Sequence, residues 1–164
     1  MPTGFPPVID QYSQTLILGS MPSIQSLQRQ QYYAHPRNHF WPILFAVYGN
    51  DPIDDYNTRL QWLLTQRLAL WDVLASCHRS GSLDQNIRDE KPNSLPDLIQ
   101  THPRLQRILF NGTKAFDSFR RHIGFSAFYA MEFQKLPSTS PIPGRHIKTF
   151  SDKLFLWRQA LLVR

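Results

Sequence analysis

Short strand-like runs alternate with stretches of helical periodicity along this chain, and that alternation restricts it to one fold class. Thr15-Leu16-Ile17-Leu18-Gly19 is apolar without a polar face, the pattern of a strand covered on both sides. Phe40 to Tyr48 reads as an apolar helix stopped by Gly49-Asn50, and Thr58 to Gln66 as a second helix with Leu60, Leu63 and Leu64 on one face. Leu68 to Leu74 is the next strand. Ser94 caps a short helix carrying Leu95, Leu98 and Ile99, which ends before Pro103. Arg107 to Phe110 is a third strand, Thr113 to His122 a helix with Phe116 and Phe119 inward and Gly124 closing it, and Met131 to Leu136 a fourth strand. Ser151 is the expected cap of a last helix whose Leu154, Trp157, Leu161 and Leu162 share a face. The expectation is an α/β protein, a three-layer α/β/α sandwich around a central four-stranded, mainly parallel sheet.

A length of 164 residues suits a single domain over 1–164, and 41% hydrophobic residues supply a core. Lys and Arg exceed Asp and Glu by 18 − 12 = 6, which favours a polyanionic partner. The lone Cys77 excludes a disulfide within the chain and a multi-cysteine metal site, and it fits a reducing, cytoplasmic setting. Met1 to Ile9 carries no basic cluster followed by an apolar stretch, and no segment reaches the ~18 apolar residues a membrane helix needs.

Ligands of open parallel sheets bind beyond the carboxyl ends of the strands. Small and polar residues stand at those ends: Gly19-Ser20-Met21-Pro22-Ser23 after the first strand, Asn111-Gly112 after the third, and Pro137-Ser138-Thr139-Ser140-Pro141 after the fourth. Each alone is an ordinary turn; together they point to one functional rim. Tyr32 to Trp41 packs aromatics, His35, Arg37, Asn38 and His39 into one loop. Aromatic faces can stack on an unpaired base while Arg37 and the histidines approach phosphate. Equally, Phe40 and Trp41 can open the next helix and fill the core, the preferred reading for Trp41. Pro36 breaks any regular helix through His35 and His39, and no cysteine or carboxylate stands beside them, which argues against a metal there. Neighbouring Cys77 and His78 point apart in a strand, and Asp72 at a strand end serves either as a site carboxylate or, preferred, as a cap or structural acceptor.

The Gly19–Ser23 turn, Ala34-His35-Pro36-Arg37-Asn38-His39-Phe40-Trp41 and Leu136-Pro137-Ser138-Thr139-Ser140-Pro141 together resemble the uracil-DNA glycosylase superfamily, and within it the hypoxanthine (deoxyinosine) DNA glycosylase family. Leu70-Trp71-Asp72-Val73-Leu74 and Gly81-Ser82-Leu83-Asp84 extend the resemblance. The His-Pro-x-Asn-x-Phe-Trp string is also similar to the mismatch-specific uracil/thymine glycosylases. Most of the superfamily has Asp or Asn as the third turn residue, where Met21 stands here; the resemblance implies that Asn38 orients the water instead. Ser23 replaces the tyrosine that excludes larger bases in uracil-specific enzymes, and Leu136 replaces a polar residue before Pro-Ser.

The resemblance implies hydrolysis of an N-glycosidic bond in DNA holding a deaminated base, deoxyinosine above all, by a monomer without a cofactor. Backbone N–H groups of Ser20 to Ser23, with Asn111, are expected to bind the leaving purine, and Phe40 to stack on it. Ser138, Thr139 and Ser140 are expected to grip phosphates, with His35 and Arg37 nearby and Ile142 or Arg145 filling the gap in the duplex. A mismatch-specific uracil/thymine enzyme and a non-catalytic nucleic-acid-binding domain of the same fold are the alternatives.

Overall fold

The computed structural model describes residues 3–141 and 149–162. Strand β1 (Thr15–Gly19) lies in a parallel sheet with β2 (Leu68–Asp72), β5 (Arg107–Asn111) and β6 (Glu132–Leu136), in the order β2-β1-β5-β6. Helices α1 (Ile24–Arg29), α2 (Phe40–Val47) and α3 (Tyr56–Thr65) fill the crossover from β1 to β2, and α5 (Thr113–His122) joins β5 to β6. Between β2 and β5 come β3 (Leu74–His78), β4 (Arg88–Pro92) and α4 (Leu95–Thr101), and α6 (Phe150–Leu162) follows β6.

Side chains alternate along the strands and so feed two cores. Ile17, Leu70 and Leu109 face one layer with Phe40 and Leu44 of α2, Leu63 of α3 and Trp157 of α6. Leu16, Leu18, Ala69, Ile108 and Phe110 face the other, with Leu95 and Leu98 of α4 and Ala115 and Phe119 of α5. The three-layer α/β/α expectation is met, and the central sheet is parallel throughout. Among the described residues no helix is long and apolar enough to cross a membrane.

Local chemistry explains where the elements begin. Ser23 Oγ accepts from the Ser26 N–H at 3.1 Å to start α1, and Asp55 Oδ2 accepts from the Thr58 N–H at 2.9 Å to start α3. Gly112, at φ 96°, turns the chain from β5 into α5, and an added Cβ would meet Ser138 Cβ at 3.2 Å.

Several expectations need correction. The cap of α6 is Thr149, whose Oγ1 accepts from the Asp152 N–H at 3.1 Å, so Ser151 lies exposed inside the helix. Leu162 is 49% exposed, off the buried face of Trp157 and Leu161. The run Leu68 to Leu74 is not one strand: the chain leaves the sheet after Asp72 and enters β3, which pairs antiparallel with β4. That hairpin is tied to α5 through Glu90, which meets Lys114 Nζ at 2.8 Å, Ser118 Oγ at 2.8 Å and His122 Nε2 at 3.2 Å. Cys77 is buried in β3 and His78 exposed, as adjacent strand positions require.

Phe110 centres the second core, edge-on to Phe116 at 5.4 Å and Phe119 at 5.3 Å and stacked with Phe133 at 6.2 Å. Phe110→Ala is expected to lower unfolding free energy by about 3–5 kcal/mol. Urea denaturation checks this, with the midpoint falling and the slope unchanged.

Candidate active site

A cavity of about 660 Å³ opens at the carboxyl ends of the strands. Gly19 to Ser26 border it beyond β1, Asp72 at the end of β2, Asn111 at the end of β5, and Ser138 to Pro141 beyond β6. The remaining wall comes from Tyr32, Tyr33, His35, Asn38, Arg79 and the segment Ser82 to Gln85. The polar turns read from sequence therefore share one rim.

The five residues of the first turn all line the cavity, and the four after Gly19 are each held differently. Ser20 Oγ donates to Asp84 Oδ1 at 2.7 Å, and the Pro22 carbonyl accepts from Arg79 Nη2. Ser23 is committed to capping α1. Met21 is 6% exposed and packs into the second core, so its thioether holds no water.

Within the Tyr32–Trp41 loop, Phe40 is fully buried and lies outside the cavity wall. Tyr33 stacks on it, with centroids 4.0 Å apart and planes 22° apart, and lines the cavity itself. The aromatic surface offered to a ligand is thus that of Tyr33, and Phe40 backs it from the core. Trp41 is buried too, its Nε1 donating to the Tyr32 carbonyl at 3.1 Å, so the core reading applies to both. Tyr33 has φ 57°, a left-handed conformation costly for an aromatic residue, and its buried hydroxyl has no hydrogen-bond partner. Burial, and then the nearby Asp72, push that hydroxyl above the usual phenol range; Asn111, close by but outside hydrogen-bond geometry, opposes them.

Asn38 sits at the cavity edge with its amide orientation set. Its Oδ1 accepts from the Phe40 N–H at 2.9 Å at the start of α2, and its own N–H donates to the His35 carbonyl at 2.9 Å. A carbonyl oxygen has two lone pairs, so one remains for a water. His35 lines the cavity and accepts from the Arg37 N–H at 3.0 Å through Nδ1; Arg37 itself is exposed outside the wall.

Across the cavity, Asn111 clamps the loop after β6. Its Oδ1 accepts from the Thr139 N–H at 2.9 Å and its Nδ2 donates to Thr139 Oγ1 at 3.0 Å. Thr139 is 1% exposed and its carbonyl accepts from the His39 N–H at 2.9 Å, so it positions the loop from inside and does not reach outward for phosphate. Ser138 is exposed, and its Oγ accepts from the Ser140 N–H at 3.1 Å; the Pro137 carbonyl accepts from Trp157 Nε1 at 3.0 Å. Lys153 Nζ supports the loop from α6, donating to the Ser140 carbonyl at 3.1 Å and lying 3.3 Å from His39 Nδ1. Burial lowers the pKa of both Lys153 and His39, the latter further through Lys153. Ile142 and Arg145 lie outside the described residues.

Two carboxyl groups complete the wall. Asp84 receives the Ser20 hydroxyl and lies 3.7 Å from Arg79 Nη1. Asp72 is 4% exposed, and no hydrogen bond reaches its Oδ2, contrary to the capping role preferred from sequence. Burial chiefly, then Asp84, raises its pKa to about 7 against the opposing effect of Arg79. Sequence reasoning passed over Tyr33 in favour of Phe40 because both stand in one aromatic run; only the left-handed turn at Tyr33 decides which faces outward. Asn111→Ala is expected to cost about 1–3 kcal/mol by leaving the buried Thr139 N–H and hydroxyl unpaired, measurable as a lower denaturation midpoint.

No protein-family model matches the sequence. The chain is 40% identical over 125 residues to a hypoxanthine DNA glycosylase of Methanosarcina barkeri, spanning 74% of this chain and 79% of that one. It is 39% identical over 140 residues to a hypoxanthine DNA glycosylase of Methanosarcina acetivorans, spanning 84% of this chain and 85% of that one. The solution NMR structure of a Methanosarcina acetivorans protein proposed to be a uracil DNA glycosylase superposes with a TM-score of 0.77 at 35% identity, covering 97% of each chain. Identity of this extent over most of both chains settles the family: the chain belongs to the hypoxanthine DNA glycosylases, on a uracil-DNA glycosylase-like fold.

Proposed function

We propose that this chain excises hypoxanthine from DNA by hydrolysing its N-glycosidic bond, acting as a monomer on a nucleotide flipped out of the duplex. The observation that carries the reading is Asn38, an amide at the cavity edge whose Oδ1 is aimed by the Phe40 N–H. An amide is too weak a base to deprotonate water near neutral pH. It can nonetheless hold one against the sugar, and positioning is most of what a reaction with an oxocarbenium-like transition state requires.

The base would stack on Tyr33, with main-chain N–H groups of the Gly19–Ser23 turn directed at the charge it acquires on leaving. The turn is anchored by Ser20 to Asp84 and by Pro22 to Arg79, so these donors need not reorganise during the reaction. Ser138 and Ser140 on the rim, with His35 and the exposed Arg37, suit the phosphates flanking the flipped nucleotide, as does a net charge of +6. Flipping costs a few kcal/mol and is easiest for a mispaired base, which favours damaged sites before any pocket contact forms. The cavity volume also admits a pyrimidine, so uracil or mismatched thymine is the second reading.

Purified protein on duplexes holding one deoxyinosine, deoxyuridine or mismatched thymine, followed by alkali, is expected to cleave at deoxyinosine. Cleavage confined to uracil or thymine would overturn the substrate, and binding without cleavage would favour a non-catalytic domain. Asn38→Ala is expected to slow single-turnover excision by about two to three orders of magnitude. Loss of the hydrogen bond from the Phe40 N–H should cost only about 1 kcal/mol of stability, and DNA binding should remain. Full activity would remove Asn38 from the mechanism. Arg37→Ala should weaken binding across all sequences and reduce the slope of log K against log salt by about 1.

A further inference from the structure

Asp72 ends β2 and lines the cavity, yet its Oδ2 is shut from solvent and has no hydrogen-bond partner. Buried polar atoms are nearly always paired, so an orphan on a cavity wall marks a place prepared for a group that arrives later. A second orphan, the Tyr33 hydroxyl, stands close by: a Cβ added to Gly19 would lie 2.6 Å from Asp72 Oδ1 and 3.2 Å from Tyr33 Oη. Only glycine at position 19 allows the carboxyl to press against the turn proposed to receive the base.

We propose that Asp72 binds the flipped base as an uncharged carboxylic acid, its O–H donating to the C6 oxygen of hypoxanthine as that base departs. The inference rests on the proposed excision activity and adds a donor to it. A neutral carboxyl presents one donor and one acceptor, the complement of the C6=O and N1–H edge of the base. As the C1′–N9 bond breaks, its electron pair passes to the purine, and the water oxygen bonds C1′. The water releases a proton, and the purine anion takes one up. A donor at the C6 oxygen stabilises the charge spreading onto that atom, whereas a carboxylate there would repel it.

Burial is the chief reason Asp72 favours the neutral form. Asp84 adds a like charge, Tyr32, Tyr33 and Tyr56 contribute hydroxyls that stay protonated, and Arg79 opposes. Arg79 is itself committed to Asp84 and to the Pro22 carbonyl. Because the protonated acid is the working form, its contribution is present at low pH and is lost as pH rises through the pKa, about 7.

The test is the single-turnover rate on deoxyinosine DNA from pH 5.5 to 9 for wild type, Asp72→Asn and Asp72→Leu, with melting temperature and binding to abasic-site DNA as controls. The wild-type rate is expected to fall about tenfold per pH unit on the alkaline side. Asp72→Asn, neutral at every pH, should lose that fall, and Asp72→Leu should be slower by about a hundredfold throughout while still folding and binding. An alkaline fall retained in Asp72→Asn, or a wild-type rate in Asp72→Leu, overturns the assignment. Wild-type excision with no alkaline fall overturns Asp72 alone, whereas no excision of any base at any pH overturns the proposed activity and Asp72 with it.

Discussion

The register of β1 with its neighbours governs everything at the rim. β1 is hydrogen-bonded to β2 on one side and β5 on the other, with Gly19 level with Asp72 and Leu18 level with Phe110. Fully buried Leu16, Ile17 and Leu18 lock that register from above and below, because a slip of one residue would exchange the two cores. The ends of β1, β2 and β5 consequently open together. Asn111, one residue past Phe110, then reaches across to fix Thr139 and the loop after β6.

The cavity is built from groups that commit their hydrogen bonds to one another and leave a few uncommitted. Ser20, Asp84, Arg79 and Pro22 form a closed set, as do Asn111, Thr139 and the His39 N–H. Against them stand the second lone pair of Asn38, the Tyr33 hydroxyl and Asp72 Oδ2. Leaving buried polar atoms unpaired costs stability, as does the left-handed backbone at Tyr33. Such costs gather at functional sites, where a ligand offsets them.

What the sequence disclosed follows from the kind of signal each element carries. Thr15–Gly19 and Thr113–His122 were delimited to the residue, the first by a continuous apolar run, the second by turn glycines on both sides. Helix α1 and strand β4 were not, since Ile24–Arg29 is short and largely polar and Arg88–Pro92 is mostly exposed and held through side chains of α5. At the site, the polar turns were visible because parallel sheets bind at strand ends, and Asn38 because its motif resembles a family. The exchange of Phe40 for Tyr33, the inward turn of Thr139 and the orphaned Asp72 depend on contacts between residues far apart in the chain. No spacing rule encodes those contacts.

The central claim, that the strand-end cavity receives an extruded base, is tested most directly by a crystal structure of Asn38→Ala bound to a duplex containing deoxyinosine. The account predicts hypoxanthine inside the cavity, its face on the Tyr33 ring and its sugar beside position 38. A base still stacked in the helix, or DNA seated on another face of the protein, would contradict it.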